Sequence, residues 1–224
     1  MPWTAPTWNP HDRSHAITTL LLGAVTTFVT ALLAYTQVTL VYVAWPSPTR
    51  AAIEAIAYVL AFEAYFYPLH RLLHVRAVYR RIHLVHHRSV FPAPLSGLAL
   101  HPVEAMAIIG FLPIAMWVWP IHLVSLAIVI VFLSGSILLA HSSVGWFPAW
   151  WARTPVLNWY VAPNVHVLHH ARGDCNYGAT LSILDRMLGT LATPGRHGAT
   201  TRPRAATISA TADSVGGPVT RKIG

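Results

Sequence analysis

This sequence predicts an all-α integral membrane protein with about four transmembrane helices and a cytoplasmic, helical, histidine-rich cap. Three observations carry that prediction. Of 224 residues, 54% are apolar and only 10% charged, where a soluble domain carries about 25% charged residues. The apolar residues gather into four runs long enough to cross a bilayer, for which a helix needs roughly 20 residues. Fourteen histidines are present, most of them crowded beside the ends of those runs. A mean hydropathy of +0.50 excludes both an ordinary soluble globule and a disordered chain. Cys175 is the lone cysteine, which excludes a disulfide scaffold.

The first run covers about 16–44 and is long enough to tilt or to extend past the lipid. Met1-Pro2-Trp3-Thr4-Ala5-Pro6 lacks the basic region and cleavage pattern of a signal peptide, so this run reads as a retained span. The second covers about 51–69 and continues as helix through His74, the third about 98–119, and the fourth about 121–140. Trp45-Pro46-Ser47-Pro48 and Trp119-Pro120 break the chain between runs, because proline cannot continue a helix, and their tryptophans suit a water–lipid interface. Residues 1–192 form one membrane-embedded domain. From 193 to 224 the composition turns to Thr, Ala, Gly, Pro and Arg without apolar period, which reads as a disordered tail.

Four crossings place the histidines. His70 and His74 close the second run, His83, His86 and His87 follow it, His101 opens the third, His141 closes the fourth, and His166, His169 and His170 come after it. All of them therefore lie on one side of the membrane. That side also carries Arg71, Arg76, Arg80, Arg81, Arg88, Arg153 and Arg172, against little beyond Arg50 on the other. The positive-inside rule makes the histidine side, with both termini, cytoplasmic. The same rule accounts for the net charge of +8, so nucleic acid is not an expected partner.

His70-Arg-Leu-Leu-His74 stacks two imidazoles at i and i+4 on one helix face. His83-Leu-Val-His86-His87 and His166-Val-Leu-His169-His170 both read HxxHH. Adjacent helical residues stand about 100° apart, so one histidine of each box can share a metal with its turn-mate while another reaches a second metal. With His141 the supply is nine imidazoles, which suits two ions and exceeds the need of one. Ionisable groups at membrane depth are costly and default to function. His11, His15, His122 and His197 stand outside the boxes and read as structural. Imidazole accepts Zn, Cu, Fe and Ni. The zinc-hydrolase pattern HExxH is absent and no box contains a carboxylate. A histidine-rich dinuclear site beside the bilayer points towards iron, O2 and a lipid-like substrate.

The boxes resemble the fatty acid hydroxylase superfamily, and finer detail resembles its sterol desaturase branch. Pro92-Ala-Pro94-Leu-Ser-Gly-Leu-Ala-Leu-His101-Pro102-Val-Glu104 is similar to the branch's proline-containing stretch ending in a His-Pro-x-acid element. His141-Ser142-Ser143 resembles its His-Ser-Gly element. His166 through Asn176-Tyr177-Gly178 to Asp185-Arg186-Met187-Leu188-Gly189-Thr190 resembles its third box and Trp-Asp-Arg-x-x-Gly-Thr motif, with Leu184 in place of the tryptophan. The likeness runs from about 63 to 190.

The resemblance implies a membrane di-iron enzyme that uses O2 as cosubstrate and two external electrons on an unactivated C–H bond. Two iron ions would be held by His70, His74, His83, His86, His87, His141, His166, His169 and His170, and zinc can replace iron in a purified sample. His101 is open between a metal ligand, a hydrogen-bond partner of a ligand and a helix cap. Metal-bound histidines usually give their other N–H to a carboxylate or carbonyl. Glu63, two turns before His70, Glu104, three residues after His101, and Asp174 and Asp185, after the third box, are the candidates. Glu54 sits near a span end and reads as interfacial. Phe62, Tyr65, Phe66 and Tyr67 could wall a substrate path, though packing is the plainer reading, and Trp146, Phe147, Trp150 and Trp151 form an interfacial belt or lid. No general base, nucleophile, haem domain or flavin motif is visible, so electrons come from a ferredoxin or cytochrome with its reductase. Lipid hydroxylation leads, sterol or lipid desaturation is the near alternative, and a haem-carrying electron-transfer protein or a metal-handling transporter are the readings of another class.

Overall fold

In a computed structural model, residues 10–88, 93–142, 147–148 and 150–193 are described. Helix α1 spans Pro10–Tyr35, α2 Pro48–Leu73, α3 Arg76–Val78, α4 Leu84–His87, α5 Pro102–Ile109, α6 Phe111–Val118, α7 Leu123–Ala140, α8 Pro163–Arg172 and α9 Ile183–Met187. A π-helical turn, Tyr79–His83, joins α3 to α4, and a 3-10 turn, Pro94–Leu98, precedes α5. Two-residue strands β1, Val41–Tyr42, and β2, Ile121–His122, pair in parallel. Three helices are long and apolar enough to cross a membrane: His11–Tyr35 within α1, α2 and α7.

Two expected spans are corrected. The first stops at Tyr35 rather than near residue 44. The next residues, Thr36, Val38, Thr39, Val41 and Val43, are β-branched and stiff at χ1, Gln37 turns left-handed at φ 60°, and Val41–Tyr42 leave the helix for the β ladder. The third stretch is not one long helix but α5 and α6, hinged at Gly110. Pro113 causes the break. It has no N–H for the carbonyl of Ile109, the last residue of α5, and its ring crowds that oxygen. The tail expected from 193 onward lies, from 194, outside the described residues, as do Pro92, Ser143 and Trp146.

Helix ends sort into two levels. At one, β1 follows α1 and pairs with β2 between α6 and α7, while Ser47 caps α2 by accepting from the Arg50 N–H at 3.3 Å. At the other lie the N-terminus of α5 and the C-terminal ends of α2 and α7, with the Pro94–Leu98 turn packed against α1 and α7. Between them Ala55, Tyr58, Phe62, Phe111, Met116, Ile121, Val129 and Leu133 form the core. Leu20, Leu21, Val25, Phe28 and Leu32 of α1 are exposed, as lipid-facing residues must be.

Lipid tails are as apolar as leucine, so helices in a bilayer are joined by packing and polar links more than by hydrophobicity. Glu54, read from the sequence as interfacial near a span end, is such a link. Its carboxylate accepts from the His122 backbone N–H at 3.1 Å, from His122 Nδ1 at 2.8 Å, from Ser125 Oγ at 2.8 Å and from Arg50 Nε at 2.9 Å. Beside it the Tyr58 hydroxyl donates to the Trp119 carbonyl. Glu54→Ala leaves buried donors on His122 and Ser125 unmatched, each costing about 1–3 kcal/mol. The variant is expected to unfold at clearly lower temperature in detergent, with metal per folded chain unchanged because the histidines lie at the far end.

Candidate metal centre

The first histidine pair lies where α2 ends. Leu73 is its last residue and the His74 N–H closes on the His70 carbonyl at 3.1 Å. His70 and His74 thus sit on the final turn, and the chain reverses at Val75 into α3. The π-helical turn Tyr79–His83 then resets the helical phase just before the box, a device common at functional sites. His83 ends that turn, and His86 and His87 follow in α4. The third box rides on α8, which Pro163 starts and Gly173, at φ +72°, stops. A side chain at Gly173 would be strained there and would lie 3.7 Å from the His74 ring.

The eight boxed histidines and His141 converge into two groups. His70, His74, His83, His87 and His169 form one, and His86, His141, His166 and His170 the other, with the ligand atoms of each group within 4.8 Å of one another. Each HxxHH box is divided: residues i and i+4 go to one group and i+3 to the other, the boxes taking opposite sides. Eight of the nine are buried, and His74 is half-buried.

The ring nitrogens fit a cation. His70 Nδ1 donates to the Tyr177 carbonyl at 2.8 Å, His169 Nδ1 to the Cys175 carbonyl at 2.7 Å and His141 Nδ1 to the Ile137 carbonyl at 2.7 Å. A carbonyl can only accept, so Nδ1 carries the proton in each and a neutral ring leaves Nε2 bare. His83 Nδ1 likewise faces Glu104 Oε1 at 2.8 Å. Nε2 of His70 nevertheless faces Nε2 of His83 at 3.1 Å, an opposition of lone pairs that a positive ion between them relieves. Elsewhere in the groups Nε2 atoms lie 3.0 to 3.3 Å apart. Nitrogens held about 2.1 Å from one first-row ion stand about 3.0 Å apart at a right angle and about 3.4 Å at the tetrahedral angle. The spacing is that of ligands around a metal.

Burial supplies the required protonation state. Loss of water holds His169 and His141 down to about 4 and His74 to about 2, the neighbouring imidazoles lowering His74 further. His86, His166 and His170 are pushed well below the ordinary histidine value by burial and then by neighbouring imidazoles, and His87 is lowered in the same way. Neutral imidazole is the form that binds metal.

Of the candidates for support, one touches a boxed ring. Glu104, buried on α5, accepts from His83. Its spacing from His101 is incidental. His101 enters neither group and is the cap of α5, its Nδ1 accepting from the Val103 N–H at 3.3 Å. Glu63 and Asp185 act one step further out. Glu63 accepts from the N–H groups of Ala179, Thr180 and Leu181 and from the Thr180 hydroxyl. Asp185 accepts from the N–H groups of Tyr177 and Gly178 and from Thr190 Oγ1. Together they hold the loop whose carbonyls orient His70 and His169. Asn176, left-handed at φ 59°, donates to Val165 and Ala192 carbonyls and accepts from the Ala192 N–H. Asp174 is exposed and paired with Arg172 at 3.0 Å, and it enters neither histidine group.

Phe62, Tyr65 and Tyr67 pack rather than line an open path. Phe62 stands edge-on to Phe111, Tyr65 donates to the Ala107 carbonyl, and the Tyr67 hydroxyl meets Thr190 Oγ1. Phe147 and Trp151 line a cavity of about 220 Å³ with Tyr160, Val165 and Arg186. The Cys175, Tyr177 and Ile137 carbonyls were missed by sequence reasoning, because a backbone oxygen has no residue signature.

Comparison with known proteins agrees with this chemistry. The chain is 29% identical to a Delta(7)-sterol 5(6)-desaturase of Eremothecium gossypii over 65% of its length and 39% of that protein's. It is 30% identical to Delta(7)-sterol 5(6)-desaturase ERG3A of Gibberella zeae, over 57% of the chain and 34% of the relative. It is 28% identical to human lathosterol oxidase, over 63% and 46%. The chain therefore spans less than half the length of each of these relatives. No solved structure gives a significant match. The sequence model of the Fatty acid hydroxylase family matches residues 55–190, which contain every histidine of both groups. With more than half its residues inside that match, the chain belongs to the fatty acid hydroxylase family, on its sterol desaturase branch.

Proposed function

We propose that this chain is a membrane oxygenase that holds two irons and, with O2 and two external electrons, oxidises an unactivated C–H bond of a lipid-like substrate. The observation that carries the reading is the convergence of nine histidines into two ligand groups beside the ends of apolar helices. His70, His74, His83, His87 and His169 would hold one iron, and His86, His141, His166 and His170 the other. A bound iron pair supplies activation of O2 at the expense of two electrons and two protons. The protein's part is to keep the rings neutral, fix their orientation through Nδ1 and shield the pair from water.

Hydroxylation gives an alcohol and one water; desaturation gives an alkene and two. The second outcome is supported by the desaturase names of the relatives. The histidine groups are assigned to the cytoplasmic face, with both termini, from Arg71, Arg76, Arg80, Arg81, Arg88 and Arg172 beside them. Pro102–Val118, 17 residues and about 25 Å long, completes the fourth crossing despite its hinge. A ferredoxin or cytochrome with its reductase is the electron donor.

The test is metal and product analysis of the full chain made in iron-supplemented cells. About two irons per chain and O2-dependent conversion of a Δ7-sterol are expected. A product lighter than substrate by two hydrogens marks desaturation, and one heavier by an oxygen marks hydroxylation. A Soret band, or no bound metal, overturns the reading.

A further inference from the structure

The two histidine groups are not equally supported. In the five-histidine group, three rings have their Nδ1 fixed: His70 by the Tyr177 carbonyl, His169 by the Cys175 carbonyl and His83 by the Glu104 carboxylate. In the four-histidine group, among the described residues, His141 alone has such an acceptor, the Ile137 carbonyl. Nδ1 of His86, His166 and His170 is buried with no hydrogen-bond partner among the described residues. A second difference is charge. Glu104 is 2% exposed, its Oε1 lies 2.8 Å from His83, and its Oε2 is buried with no hydrogen-bond partner. No arginine or lysine pairs with it among the described residues; its partner is the His83 ring. A lone carboxylate in so dry a place is costly unless a positive charge stands nearby, and the ring it touches carries one only when bound to a cation or protonated.

We infer that the two metal positions differ in affinity, and that Glu104 is the positioning residue that makes the five-histidine position the tighter one. The inference rests on the metal-binding reading above. Each ring with a fixed Nδ1 is oriented before the ion arrives and has a more basic Nε2, and removing such outer partners typically weakens binding about 10–100-fold. Five ligands with three such partners, one of them anionic, outrank four ligands with one. Glu104 also balances part of the ion's charge on that side alone, since no carboxylate reaches a ring of the four-histidine group among the described residues.

The experiment is an equilibrium titration of the full metal-stripped chain in detergent with Co(II) or Fe(II) against a competing chelator. Wild type is expected to show two separate binding steps of one ion each. His141→Ala should abolish the weaker step, and His83→Ala the tighter. Glu104→Ala should weaken the tighter step about 10–100-fold and leave the weaker one in place. Glu104→Gln, which keeps the acceptor and loses the charge, should fall between. A merely structural role for Glu104 would instead move both steps together or lower the melting temperature of the metal-stripped Gln variant. Two ions of equal affinity, a Glu104 effect on the step that His141→Ala abolishes, or no Glu104 effect overturns the inference. Absence of any bound ion in wild type overturns the metal-binding reading itself.

Discussion

His86→Ala and His169→Ala are each expected to cost the protein one of two metal ions and all measurable turnover. The two residues belong to different groups, His86 to the four-histidine and His169 to the five-histidine one. His169 Nε2 lies 3.2 Å from His74 and 3.1 Å from His87, and His86 Nε2 lies 3.3 Å from His141. Alanine at either place removes a nitrogen from the centre of its group and leaves a gap in an otherwise buried wall. Under loading that gives wild type about two irons, each single variant should retain about one and the double variant none. Activity should vanish in both single variants, because one ion cannot supply the two reducing equivalents that the reaction takes up with O2. His122→Ala is the control. It disturbs the Glu54 link at the far end of the bundle and should leave metal per folded chain unchanged. Two ions retained in either single variant would falsify the division of the boxes.

The spacing of the boxes already implied a split between two ions, though not which neighbour joins the first histidine. In an HxxHH run i+3 and i+4 stand about 100° apart, and the fold sends i+4 with i and i+3 to the other group, separating His83 and His87 from His86, and His166 and His170 from His169. Helices α2 and α7 were equally legible, because composition alone sets the length of a span. What escaped the sequence depends on long-range contact. The proline at 113 was visible, yet whether it kinks a helix or ends one depends on what replaces the lost bond. Glu63 looked like a partner for His70, two turns away on one face. It reaches residues 179–181 instead, a contact across more than a hundred residues that no local pattern encodes. Glu104 was found for the wrong reason, by its distance from His101, while its ring is His83. Backbone carbonyls support three of these rings and a side chain one, and a carbonyl leaves no trace in a residue pattern.

The metal-stripped protein is expected to lose stability steeply as pH falls from 6.5 towards 5. Seven histidines of the two groups outside the spanning helices, His74, His86, His87, His141, His166, His169 and His170, are lowered by burial in the folded state. In an unfolded chain each returns to about 6.5. Between the folded and unfolded values the unfolded chain therefore binds more protons, so stability rises with pH and is fully present only above about 6.5. Each such group contributes a slope of about 1.4 kcal/mol per pH unit. Three of the seven acting together remove about 4 kcal/mol per unit, against a total stability of about 5–15 kcal/mol for an ordinary domain. The melting temperature without metal should hold level above pH 7 and then drop sharply, with the third-box loop and α4 opening first in hydrogen exchange. Metal competes with protons for the same Nε2 atoms, so loading with iron or zinc should move the acid midpoint to lower pH. A metal-stripped melting temperature that stays flat from pH 7 to 5 would mean that water reaches these rings in solution, and the dry, neutral histidine pair of clusters would have to be abandoned.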